Sequence, residues 1–261
     1  MKDHKEKAYA ERVLAGFEKA LNRHGYGFQS AVIKCAKELF EQNRSRWVFQ
    51  VAEFPVEVQK SGTRVDFILS RVDRNFAFNR RPFFMLAECK RANPALSNWC
   101  FVRAPYTNSV GFTNCLVVEQ ATLLDSSILQ SSARAIPMSN ELSFHVGLEV
   151  RSEEKGDSEV AGRRAIEEVA TQILRGLNGF IDFLKANPQI LGEKQSCDLL
   201  PVVFRTAQIW TSDVDLSSAN LTKGEIDLAK AGFAKQDYVF YQYNCSPGLK
   251  HSASTSLLRR E

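Results

Sequence analysis

The segment FFMLAECKR, residues 83–91, constrains the fold more than any other part of the chain. Side chains alternate along a strand, so Phe84, Leu86, Glu88 and Lys90 share one face while Phe83, Met85, Ala87 and Cys89 share the other. Both faces are apolar until the charges begin, the pattern of a strand covered on both sides at the centre of an α/β sheet. The acid and the base then fall at its carboxyl end, where open α/β sheets place their ligands. A solvated surface pair is the plainer reading of Glu88 and Lys90, and partners elsewhere in the chain decide between the two.

The flanking patterns supply the covering helices. Residues 7–23 set Val13, Leu14, Phe17 and Leu21 on one helical face, and GYG at 25–27 breaks the chain. Phe28, Ala31, Val32, Cys35, Ala36 and Leu39 then recur at three- and four-residue spacing to about Glu41. The period turns to two in WVFQVAEFPVEV, a turn at KSG, and TRVDFILSRV. From 91 to about 160 the pattern is irregular, with strand-like pieces in NCLVVE and SFHVGLEV. Long irregular segments in a compact domain are usually functional or disordered, so this insertion is expected to carry substrate or subunit contacts rather than core. An amphipathic helix spans 160–186, its stripe running from Ile166 to Leu184, and stops before Pro188. LLPVVFRTAQIW reads as one buried strand and DYVFYQYN as a late one. The expected fold is α/β, a mixed central sheet flanked by helices in one domain over 1–250, with a polar tail at 251–261.

Composition narrows the setting without naming a function. With 44% hydrophobic and 25% charged residues the chain matches ordinary soluble globular proteins. MKDHKEKAYAERV lacks the apolar core of a signal peptide and no run reaches membrane-spanning length, so a cytoplasmic protein without membrane contact is expected. Its six cysteines form no CxxC pair or zinc spacing and are expected to be reduced. His24, His145 and His251 show no metal spacing and receive no role. A net charge of +4, from 34 basic and 30 acidic residues, is too slight to announce nucleic-acid binding, so any basic surface must be local.

One further acid stands among apolar neighbours, Asp66 in RVDFILS. A buried carboxylate needs a partner or a cation. A salt bridge to Arg64 or Lys90 is one solution. The other follows if the Asp66 and Glu88 strands are antiparallel neighbours: two adjacent carboxylates accept a divalent cation, and oxygen ligands suit Mg²⁺ or Mn²⁺. Lys90 on the Glu88 face could then hold a water beside a phosphate.

Asp66 in TRVDFILS followed by Glu88-Cys89-Lys90 in MLAECKR resembles the PD-(D/E)xK nuclease superfamily, with Val65 where that pattern has proline. The resemblance implies a restriction-endonuclease-like fold with a long insertion after the ExK strand. It also implies a Mg²⁺- or Mn²⁺-dependent DNA endonuclease, of the kind found in restriction or anti-phage defence. Asp66, Glu88 and Lys90 would be catalytic, with the metal on Asp66 and Glu88. Gln29, Glu53, Glu57 and Gln172 are accessory candidates; relatives with a QxxxY pattern carry tyrosine where this chain has Gly176. Arg71, Arg80, Arg81, Arg91 and Arg103 are candidates for phosphate contacts, each with loop solvation as its other reading. Trp99, Phe101 and Tyr106 are either stacking surfaces for bases or core. The implied partners are double-stranded DNA, a second copy in a homodimer built on DYVFYQYN and the insertion, and an activating protein. Two other readings stay open: a catalytically silent nuclease-fold subunit that binds nucleic acid or protein, and an unrelated α/β protein with a buried Asp66–Lys90 ion pair.

Overall fold

Phe83–Lys90 forms a strand in register with two neighbours, antiparallel to one and parallel to the other. The computed structural model describes the chain except residues 1, 24, 59–60, 72–81, 94–95, 104–115, 120–121, 124–142, 151–163, 192–195, 227, 229–230, 243–253 and 260–261. Among the described residues it is a mixed α/β protein with two mixed sheets and three α-helices.

Two helices, α1 (Lys2–Arg23) and α2 (Tyr26–Glu41), precede a meander of β1 (Trp47–Val58), β2 (Ser61–Arg71) and β3 (Phe83–Lys90). Next come β4 (Asn98–Val102), β5 (Leu116–Glu119), β6 (Thr122–Leu123), β7 (Ser143–Phe144) and β8 (Val146–Val150), then helix α3 (Arg164–Ala186). The chain closes with β9 (Ser196–Arg205), β10 (Gln208–Ser212), β11 (Phe233–Gln236), β12 (Tyr238–Gln242) and β13 (Ser254–Arg259). The larger sheet runs β1-β2-β3-β9-β13-β12-β7, with β5 paired to β9 and β6; the smaller runs β11-β10-β4-β8. Strands β3 and β9 pair in parallel from Phe83↔Asp198 to Lys90↔Arg205, which requires a crossover, and α3 lies in it.

Strand β3 is covered on both faces, as its apolar pattern demands. Leu86 and Phe84 pack with Ile173, Leu174 and Leu177 of α3, while Met85, Ala87 and Phe83 pack on the side of Val32 and Phe28 of α2. Helix α3 sits close because it carries glycine where it crosses β1 and β2. A Cβ on Gly176 would stand 2.7 Å from Val65 Cγ2, and one on Gly179 2.5 Å from Val56 Cβ. A β-branched neighbour cannot swing aside, so Gly179→Ala should cost about 1–2 kcal/mol even after its gain in helix propensity. Urea denaturation measures this, and Val56→Ala in the same chain should recover part of the loss.

Several expectations are corrected. Residues 91–160 do contribute core: Trp99, Phe101 and Phe144 are buried in the main cluster, and β5 joins the larger sheet. Trp99 and Phe101, for which core was one of two readings, lie in β4, whose partners β10 and β8 are far away in sequence. LLPVVFRTAQIW is two strands. It bends at Thr206-Ala207, and its second part, β10, pairs in parallel with β4 in the smaller sheet. The bend is tied by Thr206 N–H to Lys90 O (3.3 Å) and by Ala92 N–H to Thr206 Oγ1 (2.9 Å). The long helix is described over Arg164–Ala186, with 160–163 of the expected span outside the described residues, and residues 254–259 of the expected tail form β13 between β9 and β12. The late aromatic strand finishes the core, with Val239, Phe240 and Tyr241 buried and Tyr238 left exposed. No helix among the described residues is long and apolar enough to cross a membrane.

Candidate active site

Pairing between β2 and β3 runs from Ser70↔Phe84 to Phe67↔Ala87 and stops there. One step further Asp66 and Glu88 face each other, and the Asp66 side chain takes over from the main chain by accepting the Cys89 N–H on Oδ2 at 2.6 Å. Glu88, only 2% exposed, accepts a hydrogen bond from Gln172 Nε2 on Oε2 at 2.8 Å. Its other oxygen, Oε1, is buried and has no hydrogen-bond donor among the described residues. Each carboxylate therefore has one oxygen tied by a donor that fixes its orientation.

Electrostatics follow from that burial. Desolvation, then the charges of Asp66 and Glu53, push Glu88 up to about 9. Desolvation also raises Asp66, against the Cys89 N–H that lowers it, to about 6. Near neutrality without a cation the pair holds a proton, donated by Glu88 toward Asp66. Burial raises the Cys89 thiol as well, so it is no nucleophile despite its place between Glu88 and Lys90.

The outer wall comes from helices α2 and α3. Gln29 is buried in α2, and its Nε2 donates both to Glu53 Oε1 and to the main-chain oxygen of Asp66, each at 2.8 Å. Arg64 holds the other Glu53 oxygen at 3.3 Å. From α3, Gln172 reaches Glu88, and one turn earlier Glu168 pairs with Lys90 at 3.8 Å. Asp66 thus pairs with neither Arg64 nor Lys90, which counts against the buried Asp66–Lys90 ion pair.

The structure brings Gln29, Glu53, Asp66, Glu88, Lys90 and Gln172 together. Glu57 is exposed further along β1 and takes no part in these bonds. Arg71 pairs with Trp47 at the far end of β2, roughly 17 Å along the strand from Asp66 at about 3.3 Å per residue. It stands away from the carboxylate pair. Arg91, directly after Lys90, is exposed; Arg103 is exposed beside the Phe144 ring, 5.5 Å from its centroid. Arg80, Arg81 and Tyr106 lie outside the described residues, and Trp99 and Phe101 are buried core rather than stacking surfaces. Sequence reasoning missed Glu168 and the buried Arg205, which stands across from Lys90 on β9. Glu168 could have been found four residues before Gln172 on one helix flank; Arg205 gave no signal within its own strand. The tyrosine of QxxxY has no room here, since even a Cβ at Gly176 would meet Val65.

Among the described residues no group of three or more His, Cys, Asp and Glu side chains is arranged to hold a metal ion. Mg²⁺ seldom needs one, because it is usually held by one or two carboxylates with waters and substrate phosphates. The two carboxylates, with no donor to Glu88 Oε1 among the described residues, are hard oxygen ligands of that type. Compared with family models, curated proteins and solved structures, the chain matches none of them.

Proposed function

We propose that the protein is a divalent-cation-dependent nuclease acting on double-stranded DNA, built on a restriction-endonuclease-like core of α2, β1–β3, α3 and β9. The observation that carries this is the buried Asp66–Glu88 pair, whose Glu88 Oε1 has no donor among the described residues, with Lys90 beside it on the same face of β3. A buried pair of acids that keeps a proton near neutrality can exchange that proton for a cation, which compensates both charges. Asp66 and Glu88 would hold Mg²⁺ or Mn²⁺, which when bound neutralises phosphate charge and acidifies water.

The chain's own residues supply the rest. The Cys89 N–H and Gln172 fix the two carboxylates, so little reorganisation is needed on binding. The Lys90 ammonium, 32% exposed and held from one side by Glu168, orients a water or meets a phosphate oxygen as substrate enters. Of the arginines expected to contact phosphates, Arg91 and Arg103 are exposed and would meet the backbone of the duplex. One such site cuts one strand, so a double-strand cutter would act as a homodimer.

Incubating the protein with linear, circular and single-stranded DNA in Mg²⁺, Mn²⁺ or chelator tests this. Cleavage of duplex DNA in the metal arms alone is expected, with binding that weakens steeply as salt rises. Equal cleavage in chelator contradicts it, and binding without cleavage in any arm would favour the catalytically silent subunit. The apolar face of α1, where Tyr9, Leu14, Phe17 and Leu21 are 60–70% exposed, is the observation that keeps that second reading in view.

A further inference from the structure

Both strands that flank the site break their pleat at one level. In a regular strand residues two apart share a face. Yet Ala52 packs on the α2 side, whereas Phe54 meets the rings of Phe180 and Phe183 of α3 at 5.7 and 5.0 Å. Opposite them in β2, Phe67 stacks on Phe204 on the α2 side while Val65 lies against Gly176 of α3. The residues in between are Glu53 and Asp66. Glu53 adopts φ 52°, a left-handed conformation costly for any residue with a Cβ. Such local strain persists only where surrounding contacts hold it.

Those contacts are on hand. One amide group, Gln29 Nε2, donates to Glu53 Oε1 and to the Asp66 carbonyl, each at 2.8 Å, so helix α2 pins β1 and β2 together at the break. With its carbonyl drawn to Gln29, Asp66 sends its side chain along the sheet to the Cys89 N–H, where pairing with β3 has ended. We propose that Glu53 is a positioning residue rather than a metal ligand: with Gln29 it forms a clamp that sets the paired kink and thereby aims Asp66 at β3. Both Glu53 oxygens already accept hydrogen bonds, from Gln29 and Arg64, which fits a holding role.

The clamp rests on the reading of Asp66 as the acid of the site, but its test does not need cleavage. Amide hydrogen exchange at Cys89, followed by NMR, reports whether Asp66 still accepts that bond, and Mn²⁺ titration reports the consequence. Glu53→Ala and Gln29→Ala should each speed exchange at Cys89 about tenfold or more, leave the Phe67 and Leu69 amides protected, and weaken Mn²⁺ binding about 10- to 100-fold. Glu53→Gln, which keeps an acceptor for Gln29, should preserve both. Should the alanine variant fail to fold, Glu53→Gly replaces it, since glycine takes the positive φ without cost and still removes the clamp. Unchanged Cys89 protection in Glu53→Ala or Glu53→Gly overturns the proposal. Wild-type protein that binds no Mn²⁺ refutes the cation-dependent function instead, while Cys89 exchange still decides the clamp.

Discussion

Glu88→Gln is expected to lower metal-dependent DNA cleavage by about 10³-fold or more and, in the same protein, to raise stability without metal at pH 8. The first effect follows if Glu88 is the cation ligand of the proposed function, a charge stabilisation worth several kcal/mol at about 1.4 kcal/mol per tenfold in rate. The second follows because Glu88 is buried beside Asp66 and Glu53 and is pushed up to about 9, so the folded state resists its ionisation. Glutamine keeps the size and an acceptor for Gln172 and loses the charge. A gain on the order of 2–4 kcal/mol is expected by denaturant titration in chelator at pH 8. An ordinary structural glutamate would behave oppositely, since its removal would cost stability. Loss of activity with loss of fold would therefore count against the assignment.

The second large effect is on the pH dependence of the metal-free protein. Glu88 and Asp66 both ionise at higher pH when folded, up to about 9 and about 6 against ordinary values of 4.5 and 3.8. Between each pair of values the folded state binds more protons than the unfolded, so stability falls as pH rises. The decline attributable to this pair should start near pH 4 and continue to about 9. Melting in chelator at pH 5, 7 and 9 should show wild type losing stability relative to Asp66→Asn/Glu88→Gln. Added Mn²⁺ competes with the protons and should restore more stability at pH 8 than at pH 6. Parallel pH profiles for the two proteins would show that the carboxylates carry no such linkage.

The site was more legible in the sequence than the fold around it. Apolar residues on both faces of FFMLAECK require cover from two helices, and α2 and α3 provide it. A lone Asp inside VDFIL requires a partner, and the antiparallel register brings Glu88 opposite. Gln29 and Gln172 could be suggested only by resemblance, because a glutamine on the flank of a helix stripe looks the same whether it reaches a site or water. Glu53 carries no sign in its neighbours of the positive φ that turns it inward. The smaller sheet escaped notice for a different reason. Strands β4, β8, β10 and β11 have 4–5 residues each and pair across gaps of tens to over a hundred positions, so local period says little about them. Trp99 and Phe101 illustrate this: their aromatic run suited a binding surface equally well until β10 and β8 were seen on either side.

The central claim, that Asp66, Glu88 and Lys90 act together on a phosphodiester bond with a cation, is tested most directly with Lys90→Met. Lys90 is the member of the three that the account keeps off the cation, so this variant should bind Mn²⁺ as wild type does and remain folded. Mn²⁺ binding and cleavage of circular duplex DNA, measured side by side, should show wild type binding and cutting, and Lys90→Met binding equally while cutting about 10³-fold more slowly. Wild-type cleavage rates in Lys90→Met, or cleavage by wild type that chelator leaves intact, would contradict the account.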